Sequence, residues 1–176
     1  MMKSLGAKII SLKAFARLRP KLKGKIVMTG GGFDPIHPGH VSLILDSRNY
    51  GDILVVVVNG DWFLKNKKGK AFQDLQTRSL IVSGLRGVDY VIPFEIKNDI
   101  SVTKALEAIR PHVYTKGGDR SSQKRIPASE VVVCKKYKIK SIFGVGLDKK
   151  WSSSWFLTEW TTFVEKNRHP SILKKE

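Results

Sequence analysis

The sequence is poor in cysteine, in long apolar runs and, at one end, in acid. Cys134 stands alone among 176 residues. This excludes a disulfide framework within the chain and a thiolate zinc site, and it fits a reducing, cytoplasmic setting. No apolar run approaches the roughly 18 residues that a membrane span requires. The longest, Ile53 to Val58, has the length and β-branched character of a buried strand. Residues 1–25 contain no Asp or Glu, yet they hold Lys3, Lys8, Lys13, Arg17, Arg19, Lys21, Lys23 and Lys25. The whole chain carries a formal charge of +17. Such a field attracts polyanions, either nucleic acid or an anionic membrane surface. The same stretch also suits an amphipathic helix through Leu5, Ile9, Leu12, Phe15 and Ala16, an organellar transit peptide, or a solvated extension without a partner. The expected organisation is a basic N-terminal extension over 1–24, a single domain over 25–165 and a polar C-terminal tail over 166–176.

Within the domain, apolar strands alternate with helical stripes. Lys25 to Thr29 reads as a strand that runs into three glycines, Gly30 to Gly32. Val41, Ile44 and Leu45 fit one face of a helix, and Gly51 sits where a glycine ends it. Asp52 to Asn59 is the next strand. Asp74 caps a helix to about Arg86, and a strand follows over Asp89 to Phe94. Ser101 caps a helix that Pro111 stops, and His112 to Lys116 is a strand. After Pro127 the sequence suits a helix, although Val131 to Val133 also favours a strand. Lys138 to Val145 is a strand, and Ser152 to about Lys166 is a helix with Trp155, Phe156, Trp160, Phe163 and Val164 as its expected buried side. The alternation predicts an α/β, Rossmann-like, doubly wound parallel sheet in one domain.

In such a fold, ligands sit at the carboxyl ends of the strands. The polar residues cluster at these exits: Gly30 to His40, Asn59 to Asp61, Lys116 to Asp119 and Asp148 to Ser154. The glycines let backbone N–H groups approach an anion, and the helix behind them turns its positive end to the same place. His37 and His40 stand at that helix start, with Pro35 and Pro38 restricting the turn. Together with Asp34 they are too few to form a zinc site, and a phosphate cradle explains the glycines as well. His112 follows a helix-ending proline at the far edge and reads as structural.

Phe33-Asp34-Pro35-Ile36-His37-Pro38-Gly39-His40 resembles the HxGH signature of the nucleotidyltransferase superfamily related to class I aminoacyl-tRNA synthetases. Val58-Asn59-Gly60-Asp61, with Lys65 and Lys68-Gly69 in what reads as a basic loop from Lys65 to Lys70, is similar to a stretch of the sugar-phosphate and polyol-phosphate nucleotidyltransferases. So are Gln76-Thr77-Arg78 and Val88 to Phe94. Thr115-Lys116-Gly117-Gly118-Asp119 resembles the heptose 1-phosphate adenylyltransferases in particular, and Ser152 to Ser154 resembles the second signature at a helix start. Arg120 and Trp151 depart from the family pattern.

The resemblance implies transfer of a nucleoside monophosphate, AMP from ATP, to a sugar phosphate, with release of pyrophosphate. It implies catalytic roles for His37, His40, Lys65 and Lys68. It assigns nucleotide contacts to Gly31, Gly32, Phe33, Asp34, Lys116, Gly117, Asp119, Lys149, Ser152, Ser153 and Ser154. Mg²⁺ would arrive with the nucleoside triphosphate, since no carboxylate cage is evident. The partners are then that triphosphate and a small phosphorylated acceptor, with a homodimer left open. Cytidylyl transfer to a polyol phosphate, adenylyl transfer to a mononucleotide and a non-enzymatic nucleic-acid binder stand as alternatives.

Overall fold

A computed structural model of the chain describes residues 6–117, 122, 126–148, 150 and 152–167. The strands are β1 (Lys8–Ile9), β2 (Ile26–Gly31), β3 (Ile53–Asn59), β4 (Tyr90–Phe94), β5 (Val113–Gly117) and β6 (Lys140–Val145). They form one six-stranded sheet in the order β1-β4-β3-β2-β5-β6, with every pairing parallel. The helices are α1 (Leu12–Leu18), α2 (Pro38–Arg48), α3 (Asp61–Lys68), α4 (Leu75–Ser83), α5 (Thr103–Ile109), α6 (Ala128–Lys136) and α7 (Ser153–Asn167). The expected doubly wound α/β sheet is borne out.

The unbroken apolar run of β3 has a direct cause. Val55 and Val57 point into one core, with Phe15, Met28, Ile92, Leu106 and Tyr114. Leu54, Val56 and Val58 point into the other, with Phe33, Ile44, Val82 and Val91. Alternate side chains of a strand face opposite ways, so a strand covered on both sides needs apolar residues at every position. Helices α1, α5 and α6 supply one cover, and α2 and α4 supply the other.

The chain steps outward from β2 to β3 and β4, then returns to lay β5 on the other side of β2. The β2–β5 ladder holds only Val27 to Val113 and Met28 to Tyr114. Beyond it the Thr29 hydroxyl donates to the Thr115 carbonyl at 3.2 Å, and the Thr115 hydroxyl meets that of Ser47 on α2 at 2.7 Å. The two strands part there, and this reversal of direction is where an open α/β sheet forms a crevice.

Three expectations need correction. Residues 8–21 are no mere extension: β1 pairs with β4, and α1 buries Phe15 completely against the sheet. An aromatic ring in the core outweighs the basic composition around it. Residues 65–68 belong to helix α3 and not to a basic loop. On α7, the side expected to be buried leaves Trp155, Trp160 and Phe163 exposed by 52%, 56% and 47%. The segment after Pro127, open between helix and strand, is helix α6; Glu130, Val133 and Cys134 share its buried side at helical spacing.

Candidate active site

A cavity of about 420 Å³ opens at the carboxyl ends of β2 and β5. Gly31, Gly32, Phe33, Asp34, His37, His40, Lys68, Lys116, Gly117, Ser152, Ser153 and Ser154 all line it. Asp119 and Lys149 lie outside the described residues. Lys65 is exposed on α3 and does not line the cavity, whereas Lys67 and Lys68 do. The helical twist explains this correction. Leu64 is buried, so residues three and four further on share its side, while Lys65 points away.

The floor is built by close approach. A side chain at Gly32 would put its Cβ 2.7 Å from Leu64 Cδ2. At the exit of β6, Gly146 has φ +88°, and a Cβ there would lie 2.7 Å from the backbone nitrogen of Leu43. That close approach seats the exit of β6 against α2, where the Leu147 N–H also donates to the Ser42 hydroxyl at 2.9 Å.

His37 is the N-cap of α2, and its Nδ1 accepts the His40 N–H at 3.3 Å. The two rings stack with centroids 3.7 Å apart, and Phe33 meets His40 edge-on at 5.0 Å. Burial, followed by the positive fields of His37, Lys67 and Lys68, lowers the His40 pKa to about 3. At neutral pH His40 is an uncharged imidazole that offers an N–H. Its Nδ1 is buried and has no hydrogen-bond partner among the described residues.

Asp34 is almost fully buried and serves the scaffold. Its carboxylate accepts the Phe72 and Gln73 N–H groups, each at 2.8 Å, and pairs with Lys68 Nζ at 2.8 Å. This fixes Lys68 against the loop of the histidines. Across the cavity, the Ser152 hydroxyl caps α7 by accepting the Trp155 N–H at 3.1 Å. The Ser153 hydroxyl donates to the Pro35 carbonyl at 2.9 Å, and Phe156 lies 6.4 Å from the His37 ring. The starts of α2 and α7 thus meet at one point, each turning its positive helix end toward the cavity.

Two groups escape a sequence reading of the site. Arg78 is completely buried. It donates to the carbonyls of Gly32 at 2.7 Å, Asn59 at 2.6 Å and Gln73 at 2.9 Å, and to Asp61 Oδ1 at 2.6 Å. One guanidinium therefore ties together the segment after β2, the end of β3 and the segment before α4, the first two of which line the cavity. Its signal is Gln76-Thr77-Arg78, a stretch to which the family resemblance assigns no role. Glu130, nearly buried on α6, accepts the Val102 N–H at 3.0 Å and the Tyr114 hydroxyl at 2.9 Å. Lys116 Nζ lies 3.6 Å from the same carboxylate, above the Tyr114 ring. Nothing in the local sequence around Glu130 marks this role, because its partners lie on β5 and before α5. His112 is structural: its Nδ1 accepts the Ile26 N–H at 2.8 Å.

No group of three or more His, Cys, Asp or Glu residues is placed to hold a metal ion among the described residues. No described helix is long and apolar enough to cross a membrane.

The chain is 39% identical over 122 residues to the bifunctional protein HldE of Haemophilus ducreyi, covering 68% of this chain and 25% of that protein. The HldE of Helicobacter hepaticus is 40% identical over 133 residues, covering 72% and 27%. The chain therefore spans about a quarter of the length of these relatives. Among solved structures, the lipopolysaccharide core biosynthesis protein of Thermoplasma volcanium superposes with a TM-score of 0.58 at 26% identity, over 72% of this chain and all of that one. The pantoate-beta-alanine ligase of Francisella tularensis, at 18% identity and a TM-score of 0.55, covers 84% of this chain and 71% of its own and shares the fold. The cytidylyltransferase-like family matches residues 28–163. The nucleotidyltransferase resemblance read from the sequence is borne out, and the chain belongs to the cytidylyltransferase-like family.

Proposed function

We propose that the domain is a nucleotidyltransferase that moves AMP from ATP to a sugar phosphate and releases pyrophosphate. One observation carries this reading: the stacked His37–His40 pair at the start of α2 shares a cavity with Lys67, Lys68 and the serine-rich start of α7. Two helix starts, two histidine rings, two lysines and three hydroxyl groups are the donors that a chain of phosphates needs.

In the reaction, an oxygen of the acceptor phosphate attacks the α-phosphorus, the bond to the bridging α–β oxygen breaks, and pyrophosphate departs with the electron pair. Charge gathers on the non-bridging oxygens and the leaving group, so positioned donors supply the catalysis. His37 and His40 donate to the α- and β-phosphates. His40 does so as a neutral ring, and a bound anion would raise its pKa. Lys67 and Lys68 neutralise the phosphates from α3, and Ser152 to Ser154 hold the β- and γ-phosphates. Mg²⁺ is bound by the triphosphate and enters with it as part of the substrate. Lys116, steered by Glu130, faces the cavity from β5.

The sugar-phosphate acceptor is supported by the HldE relatives and by the lipopolysaccharide core biosynthesis protein, which match across most of this chain. The adenylyl donor rests on the resemblance at Lys116 to Asp119. The test is pyrophosphate release from each nucleoside triphosphate, with Mg²⁺ and a panel of sugar and polyol phosphates. ATP with a hexose or heptose 1-phosphate is the expected pair. Turnover with CTP and glycerol phosphate alone would replace this reading with cytidylyl transfer to a polyol phosphate.

A further inference from the structure

The end of the sheet opposite the cavity carries a charge pattern that the nucleotide reaction does not use. Strands β2, β5 and β6 are parallel neighbours, so their amino ends lie side by side. Three stretches remote in sequence converge there: 17–25, 110–112 and 135–140. None of them contains an acidic residue. Hydrogen bonds and ring contacts tie them together. Arg19 donates to the Ile109 carbonyl at 2.9 Å and to the Arg110 carbonyl at 3.1 Å. The Arg110 guanidinium lies 4.8 Å from the Tyr137 ring centre, and Lys136 Nζ lies 5.3 Å from it. The Lys140 N–H donates to the His112 carbonyl at 3.0 Å, and the His112 N–H donates to the Ile26 carbonyl at 2.8 Å. Lys21, Lys23 and Lys25 are exposed on the first stretch, and Lys135, Lys138 and Lys140 on the last.

Helix chemistry explains part of this. Cations at helix carboxyl ends satisfy carbonyls and complement the dipole, and Arg19 does this for α5. Helix ends do not explain Lys23, Lys25 and Lys140, which lie in a connection and in β6. The nearby acids are engaged: Asp52 accepts the Lys25 N–H at 2.6 Å, and Glu107 pairs with Lys104 at 3.6 Å. So many like charges on one face repel each other and weaken the fold unless an anion meets them.

We propose that this basic end of the sheet is a docking surface for the phosphate backbone of a nucleic acid, read without sequence preference. The face offers cations and hydrogen-bond donors, which are what a phosphodiester chain takes. Among the described residues, no large exposed apolar side chain lies within the three basic stretches; Val132, one turn before Lys135 on α6, is the nearest in sequence and stands alone there, while the exposed Trp155, Trp160 and Phe163 belong to α7. Without inserted apolar area, membrane retention is weak. The surface is remote from the cavity, so a bound polyanion leaves the phosphate site open.

Fluorescence anisotropy of a labelled DNA duplex of about 20 base pairs, with the full chain, tests this through affinity and its salt dependence. Lys23→Glu with Lys138→Glu removes two cations from the face. Lys70→Glu with Lys97→Glu makes the same charge change elsewhere, at exposed positions near the cavity end. The face variant is expected to bind about tenfold or more weakly, and its log–log salt slope to fall by about 1.8, at about 0.9 for each phosphate no longer neutralised. The control pair should keep affinity within about twofold, and circular dichroism melts of both should match the parent. Equal losses in both variants would assign the binding to bulk charge and overturn the proposal. Absence of duplex binding, or binding confined to vesicles with phosphatidylglycerol, would overturn it as well.

Discussion

Helices α2 and α7 bring their amino ends to the same cavity, yet they are held in opposite ways. Helix α2 buries Leu43, Ile44 and Ser47 against the sheet. Helix α7 has no buried residue among its described side chains, and its tryptophans face solvent. At the site its first turn supplies the contacts: the Ser152 cap, the bond from Ser153 to Pro35, and Phe156 beside His37. The proposed phosphate site therefore has one half fixed by the core and one half held by contacts at the site. Mutations should separate the two.

The largest effect is expected beneath the α2 half. Arg78→Met removes the guanidinium that holds Gly32, Asn59, Gln73 and Asp61, and leaves three carbonyls without their donor. A loss of about 3 kcal/mol or more in urea unfolding is expected, at about 1–3 kcal/mol for each group left unsatisfied. A change below about 1 kcal/mol would show that these loops hold themselves.

A matched pair addresses the helices directly. Ile44→Ala on α2 empties a fully buried site and should cost about 2–5 kcal/mol. Trp160→Ala on α7 removes a larger side chain that is mostly exposed, and should stay within about 0.5 kcal/mol in the same unfolding measurement. Similar costs at both positions would erase the distinction.

Ser153→Ala cuts the link from α7 to the histidine loop. Stability should hardly move, while kcat/KM for the nucleotide should fall about tenfold, or 1.4 kcal/mol. An unchanged kcat/KM would mean that α7 needs no such tether.

The last of these effects is on pH dependence. His40 has a folded pKa of about 3 against an ordinary 6.5, so the unfolded chain binds a proton that the fold refuses. Stability from this residue is complete above about pH 6.5 and declines as pH falls toward 3. Urea midpoints at pH 7.5 and pH 5 (about the middle of that window) should differ more for the parent than for His40→Asn. Equal differences would place His40 in contact with solvent.

Much of this arrangement is legible in the sequence. Strands β2 to β6 announce themselves as apolar-rich runs between helical stripes, and β3, covered on both faces and apolar throughout, is the clearest case. The histidine turn and the serines are legible because phosphate binding calls for glycines, rings and hydroxyls at a helix start. Other features are hidden for physical reasons. β1 is two residues long and sits in a basic stretch, so no periodicity reveals it. The aromatic stripe of α7 shows that the helix is amphipathic, but periodicity carries no information about what covers it. Reading 65–70 as a loop makes Lys65 and Lys68 equivalent; helical geometry separates them and admits Lys67. Arg78 and Glu130 act through partners distant in sequence, and only the fold brings those partners together.

If the starts of α2 and α7 form one phosphate cradle, His37 and His40 are its donors and both must matter to turnover. Steady-state pyrophosphate release by His37→Ala and His40→Ala, using the acceptor that the parent prefers, measures this without an intermediary. The expected result is a fall in kcat of about 10²-fold or more in each, the scale for losing one transition-state donor, while thermal unfolding shows both variants still folded. Near-parental turnover in both folded variants would contradict the cradle.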